Sequence, residues 1–561
     1  MQKTCTKCSA PFEVTDDDIK FYENVSPIIK GEKYIITPPK YCPDCRLQRK
    51  VCFRNERMFY SRKSDLTGDM MVSIYAPDIP YKIYDQEEWW SKKWDARDYG
   101  REFDFTRPFF DQMNDLWKEV PIVTLWNSNC ENATYNNNCF HLKDSYMNYN
   151  SDEGERIMYS YGTEFCTDSA DCTFVQKSEL CYECTDCTRA YTCIFSSLLD
   201  NCTDCSFSSD LMGCKNCFGC HGLRQQSYCF FNEHLSKDEW EDRMKSISYT
   251  PQNISKYKKQ SEEVRMKVPQ VATKMVQCSD STGNFLYNCA NSENCFDMHN
   301  CEFVKNGIYV PWDVKHAQDV YAHAGAEWSY EVIAGGIGIS HVAFINGLVS
   351  GLSDSYYSVQ CGYGSNNLFG CVSMMKYKYC ILNKQYTKEE YEELVPRVIE
   401  HMKKNGEWGE FFPPSISPFA YNETMAQEFF PLTKEEALNQ GYKWRDIQDE
   451  LPKSDRVISS DKLPPSIEDI PDDILNWAIK CEVSGRLYKI TSQELDFYRR
   501  MKLPVPRLHY EKRYQNRAKS RPPRKLWNRK CNKCDIDIQT VYSPDRPEKV
   551  FCEDCYLKEV Y

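Results

Sequence analysis

The sequence has no apolar run approaching the roughly eighteen residues that a membrane-spanning helix needs. Its start, Met1-Gln-Lys-Thr-Cys5, lacks the apolar stretch of a secretion signal. These absences lead to the expectation of a cytoplasmic protein with no membrane partner. Histidine is scarce, with nine copies in 561 residues, and none forms an H-E-x-x-H pair. A Walker loop, a dinucleotide fingerprint and a nucleophile elbow are all missing. The glycine-rich stretch Ala334-Gly-Gly-Ile-Gly-Ile-Ser340 matches no phosphate-cradle spacing and reads as a tightly packed strand. With no catalytic motif in sight, the expectation is a protein that is not an enzyme.

Acidic residues are also missing from one place. Residues 499–530 hold thirteen Lys/Arg against the single acid Glu511, so a chain of net charge −12 contains a local excess of +12 and carries −24 elsewhere. Within that stretch Arg513, Arg517, Lys519, Arg521, Arg524, Lys525, Arg529 and Lys530 are interleaved with Tyr514 and Trp527. Phosphate-seeking charge beside rings that can stack on bases is the pattern of a nucleic-acid surface. A solvated linker balancing an acidic body is the alternative.

Cysteine and tyrosine are abundant, at 31 and 38 copies. In a reducing compartment closely spaced thiols bind metal more often than they pair as disulfides, and the odd total agrees. Cys5-x2-Cys8 with Cys42-x2-Cys45, and Cys531-x2-Cys534 with Cys552-x2-Cys555, each read as a tetrathiolate zinc ribbon. A two-residue gap lets one tight turn aim both sulfurs at a single ion. About two structural Zn2+ per chain are expected, against an iron–sulfur cluster or free thiols. Lys7, Lys533 and Arg46 would soften the negative charge of the thiolates.

Between the ribbons the thiols keep a different order. Cys172, Cys193 and Cys214 lie 21 apart, as do Cys181/Cys202, Cys184/Cys205 and Cys166/Cys187. A fixed period in polar, turn-rich sequence marks a solenoid whose equivalent residues stack in ladders. These central cysteines are read as inward-facing ladder residues, with additional metal as the rival. The pattern occurs twice: Asn216-Cys-Phe-Gly-Cys220 and Tyr228-Cys-Phe-Phe-Asn232 recur 151 residues later as Asn367-Leu-Phe-Gly-Cys371 and Tyr379-Cys-Ile-Leu-Asn383. Each copy enters a helix through a capping box, Ser236 to Glu239 and Thr387 to Glu390. A third ribbon-like module begins at Cys481, with Tyr488, Phe497-Tyr498 and His509 where the first has Phe12, Phe21-Tyr22 and Cys42. Ser484 and Lys512 replace two ligands, so this module reads as a zinc-free pseudo-ribbon.

The expected fold is mainly β: a duplicated right-handed β-helix-like solenoid with zinc ribbons at both termini and short capping helices. Its parts are a ribbon with basic extension (1–63), an aromatic-rich packing segment (64–122), a first solenoid half with closing helix (123–250), a helical connector (251–275) and a second half (276–405). A Phe/Pro-rich wrapping segment (406–470), the pseudo-ribbon with basic segment (471–526) and the C-terminal ribbon (527–561) follow.

Cys5, Cys8, Phe12, Phe21-Tyr22, Pro39, Cys42, Cys45 and Arg46 resemble the probable zinc-ribbon family. The arrangement of the chain, judged by Asn367-Leu-Phe-Gly370, Tyr379-Cys-Ile-Leu-Asn-Lys384 and Arg546-Pro-Glu-Lys-Val-Phe-Cys-Glu-Asp-Cys-Tyr556, is similar to large zinc-ribbon proteins of candidate-phylum bacteria. That resemblance implies the fold and the metal and no reaction. A scaffold engaging RNA, DNA or a nucleoprotein complex is therefore expected. The alternatives are an assembly protein with homotypic or protein partners, and a carbohydrate-active enzyme on a β-helix.

Overall fold

The computed structural model describes residues 1–347, 350–446 and 454–561, so residues 447–453 of the expected 406–470 segment lie outside it. The protein is mainly β, and its solenoids follow a three-residue rule. In each triplet one side chain enters the core, the next residue pairs with a neighbouring coil, and the third takes a left-handed backbone. Cys184, Cys187, Ala190 and Cys193 point inward, each at most 1% exposed. Asp186, Arg189 and Thr192 between them have φ of 54°, 52° and 53°. Parallel pairing links each residue to the one 12 ahead, as in Thr185↔Ser197 and Cys205↔Cys217↔Cys229.

Four triplets therefore make one coil, and the 21-residue spacing of the thiols is not the coil length but seven triplets. Any multiple of three returns to the inside. A left-handed backbone costs an L-residue roughly 1–2 kcal/mol and is tolerated best by Asn, Asp and Gly. This explains the richness in Asn and Asp that reads as turns. Inside, most of the small thiols lie within reach of two carbonyl acceptors: Cys184 Sγ is 3.6 Å from Tyr182 O and 3.2 Å from Cys193 O, nine residues on, and its one hydrogen can go to either. Cysteine fills the narrow interior and still makes a weak hydrogen bond.

The chain forms two compact units. The second solenoid, together with residues 1–126, 273–446 and 524–526, makes one. Asp319, Glu331, Phe344, Tyr357 and Gly370 form one outward, left-handed column of this solenoid. Beside Tyr357 pack Phe109, at 5.1 Å between centroids, and Trp408, at 6.1 Å.

The first solenoid, with residues 127–272, 447–523 and 527–561, makes the other unit. Its corresponding column is Asp171, Glu183, Phe195, Phe207 and Gly219. Here Tyr257 of the Pro251–Arg265 helix covers the apolar half, 5.4 Å from Phe207. The two columns start 148 residues apart and end 151 apart, because the three steps from Glu331 to Gly370 are 13 residues long, seen in Tyr330↔Ala343↔Tyr356↔Phe369. The glycine is demanded by closeness: a Cβ at Gly219 would sit 2.3 Å from Phe231, and one at Gly370 2.8 Å from Phe109.

Both solenoids end in a capped helix, Lys237–Lys245 and Lys388–Lys404, each with a complete capping box. The glycine-rich stretch is explained by packing: a Cβ on Gly335 would fall 2.1 Å from Nδ1 of His323, which is fully buried.

Candidate metal centres and the basic stretch

All three small modules share one plan. A β-hairpin carries the first knuckle and the residue in the third-ligand position caps a helix; in the first two modules a further helix, Asp16–Val25 or Ser492–Met501, lies between them. The hairpins are Gln2–Thr4 with Pro11–Glu13, Ala478–Lys480 with Leu487–Tyr488, and Trp527–Lys530 with Asp537–Thr540. Cys42, His509 and Cys552 are the N-caps of the helices Pro43–Val51, Tyr510–Ser520 and Glu553–Val560.

Cys5, Cys8, Cys42 and Cys45 come together with all four sulfurs within 4.8 Å of one another, and so do Cys531, Cys534, Cys552 and Cys555. Sγ of Cys8 is 3.6 Å from that of Cys42, and Cys534 is 3.7 Å from Cys552. Four thiolates around an ion at 2.3 Å would stand about 3.8 Å apart, so both clusters are already shaped for a tetrahedral thiolate-binding metal. Burial opposes ionisation of Cys5, yet the amides of Cys42, Cys8 and Lys7 aimed at its sulfur bring the thiol down to about 6. Cys531 is brought to about 6 in the same way against its own burial, by the amides of Cys552, Cys534 and Lys533. Among the described residues the central cysteines form no such cluster.

The pseudo-ribbon keeps the knuckle without the ligands. Ser484 N still points at Cys481 Sγ at 3.5 Å, and Nδ1 of His509 accepts from Glu511 N at 3.2 Å, which uses that nitrogen as a helix cap. Burial pushes the His509 imidazole down to about 3.

The basic stretch is where the structure departs most from its appearance in the sequence. Arg513 and Arg517 are 3% and 5% exposed and converge on one carboxylate, Asp171. Arg513 also reaches Tyr498 Oη at 3.1 Å, and Arg517 reaches Thr173 Oγ1 and Tyr159 O, both at 3.2 Å. Arg521 pairs with Asp186 at 2.8 Å and lies 4.1 Å over the ring of Phe174. Arg524 pairs with Asp297 at 2.7 Å and covers Phe429 at 4.8 Å. Arg529 donates to the carbonyls of Ser543 and Glu548, and Lys530 stands 3.5 Å from Asp537. Lys519 and Lys525 are exposed. Arg513, Arg517, Arg521 and Arg524 are thus committed to carboxylates of the solenoids rather than held out to a partner.

The N-terminal ribbon makes the corresponding attachment to the second solenoid. Arg46 pairs with Asp319 at 2.8 Å, Arg49 with Glu331 at 2.7 Å and Glu410 at 2.6 Å, and Lys50 donates to Asp319 O. Full burial lowers the Lys50 ammonium to about 8, against the pull of Glu331 and Asp319. The C-terminal ribbon uses the same position: Tyr556, which follows Cys555, hydrogen-bonds Asp210, while Arg224 donates to its hydroxyl at 3.0 Å. In every module the residue after the fourth-ligand position, Arg46, Arg513 or Tyr556, plugs into an aspartate of a solenoid. Asp319, Asp171 and Asp210 are docking residues that motif reading missed. The 148-residue correspondence of Asp171/Glu183 with Asp319/Glu331 was the signal that could have found two of them.

No protein-family model matches the chain, and no curated protein matches it. No helix among the described residues is long and apolar enough to cross a membrane.

Proposed function

We propose that the chain is a non-enzymatic scaffold whose terminal tetracysteine clusters hold structural zinc, and whose solenoids are braced by the ribbon modules docked on them. The observation that carries this reading is the clasp formed by Arg513 and Arg517 on Asp171, which turns the most cationic stretch into internal bracing. The partner-facing element is the C-terminal ribbon, where Cys534 and Ile536 are exposed, and its partner is a protein or a second copy of the chain. A cytoplasmic setting fits the reduced thiols.

A second reading, engagement of RNA or DNA, is favoured by the exposure of Lys519, Lys525 and Lys530 beside Trp527. One titration separates the two. Under the scaffold reading, the zinc-loaded protein binds labelled single-stranded RNA weakly at 50 mM salt, and the triple change of Lys519, Lys525 and Lys530 to Glu alters nothing. Tight binding that falls steeply with salt and is lost in the triple variant would instead establish the nucleic-acid reading.

A further inference from the structure

The outward columns of the solenoids offer one more chemically distinct place. On the first solenoid Asn129, His141 and Glu153 occupy successive left-handed positions of one column, with Asp152 preceding Glu153. Nδ1 of His141 lies 3.0 Å from Asp152 Oδ1 and 3.7 Å from Glu153 Oε1. The donor atoms of all three fall within 4.8 Å of one another. The other imidazole nitrogen, Nε2, is 3.1 Å from the Asn129 amide. Because the two ends of that amide are interchangeable, Asn129 can accept from Nε2–H, the tautomer in which the Nδ1 lone pair meets an ion in place of the proton shared with Asp152. Glu164 stands in register with Asp152 on the next coil.

These carboxylates lie outside the arginine pairs that hold many aspartates of the same solenoid. Asp168, Asp171, Asp186, Asp200 and Asp210 of the same solenoid each hold an arginine. Asp152 and Glu153 have ion pairs with His141 alone among the described residues. We propose that His141, Asp152 and Glu153 bind a borderline divalent cation of the zinc and cobalt class, at a site separate from the tetracysteine clusters. One imidazole and two carboxylates suit such an ion better than calcium or magnesium, which take oxygen alone. Asn129 orients the imidazole from behind. Three protein donors on an exposed face leave coordination positions open to an outside oxygen ligand such as a carboxylate or phosphate.

The test uses the full chain with both tetracysteine clusters filled with zinc, titrated with Co2+ and followed by absorbance. One further equivalent is expected, with weak d–d bands and no thiolate-to-cobalt charge-transfer band. The variant His141→Ala should lose that equivalent while melting like the parent, since the side chain is 46% exposed. Asn129→Ala should weaken it about tenfold, and Asp152→Asn serves as the second ligand variant if His141→Ala folds poorly. No further equivalent, one that persists in both ligand variants, or one that arrives with a charge-transfer band overturns the proposal.

Discussion

The N-terminal module and the module around Cys481 are the same device with and without a complete set of four thiols. Both present a helix whose cations are buried on a left-handed column of acids, Arg46, Arg49 and Lys50 on Asp319 and Glu331, Arg513 and Arg517 on Asp171. Even their capping-box acids correspond. Asp18 accepts from Gln318 Nε2 at 3.0 Å, and Glu494 accepts from the hydroxyls of Tyr159 and Tyr498, each at 2.8 Å. One module has four thiols in tetrahedral reach; the other has Cys481 and a histidine that caps a helix. The lesson is that docking, not coordination, defines the module. Once the arginines are satisfied by a solenoid, the skeleton stands without a four-thiol set.

Stripping the metal should break the comparison most visibly. With a strong chelator, hydrogen exchange is expected to deprotect Gln2–Glu13 and Trp527–Thr540 while Ala478–Tyr488 keeps its protection. Uniform loss across the three hairpins would show that the pseudo-ribbon depends on the others. Next in size is the clasp itself. Asp171→Ala leaves two buried guanidiniums without their shared anion, a loss of about 3–5 kcal/mol, and Asp319→Ala should cost a similar amount in the other unit. Denaturant melts in which Asp171→Ala costs less than about 1 kcal/mol, the range of exposed pairs, would mean that the arginines find water instead. The gentlest change sharpens the comparison from the opposite side. Ser484→Cys with Lys512→Cys rebuilds a three-thiolate, one-histidine set with Cys481 and His509, and mass spectrometry should count one more zinc per chain. An unchanged count would show that His509 cannot leave its helix-capping role.

The parts of this molecule that were legible in the sequence are those whose chemistry is local. Two C-x2-C knuckles announce a tetrathiolate cluster because both ligands lie within four residues, and Ser236, Thr387 and Thr433 announce helix starts for the same reason. The solenoid was visible, but its coil length was not. Thiols occupy only some of the inward positions and recur at several multiples of three, 21 among them, which masks the four-triplet repeat of the backbone. The left-handed third residue was hidden because Phe174, Phe195 and Tyr357 adopt it as well as Asn and Asp. The clasp was illegible for another reason. Arg513 and Asp171 are 342 residues apart, and a run of arginine reads as exposed until the carboxylates that bury it are known.

The N-terminal module belongs to the unit of the solenoid that is made last. During synthesis Arg46, Arg49 and Lys50 leave the ribosome some 280 residues before Glu331, a wait of roughly 15–60 s at common elongation rates. For that interval the module has three unneutralised cations and no dock, and a metal bound at Cys5, Cys8, Cys42 and Cys45 is what could hold its shape. The pseudo-ribbon meets a solenoid already complete. So does the C-terminal module, which keeps all four of its cysteines, and only the first module must wait for its dock.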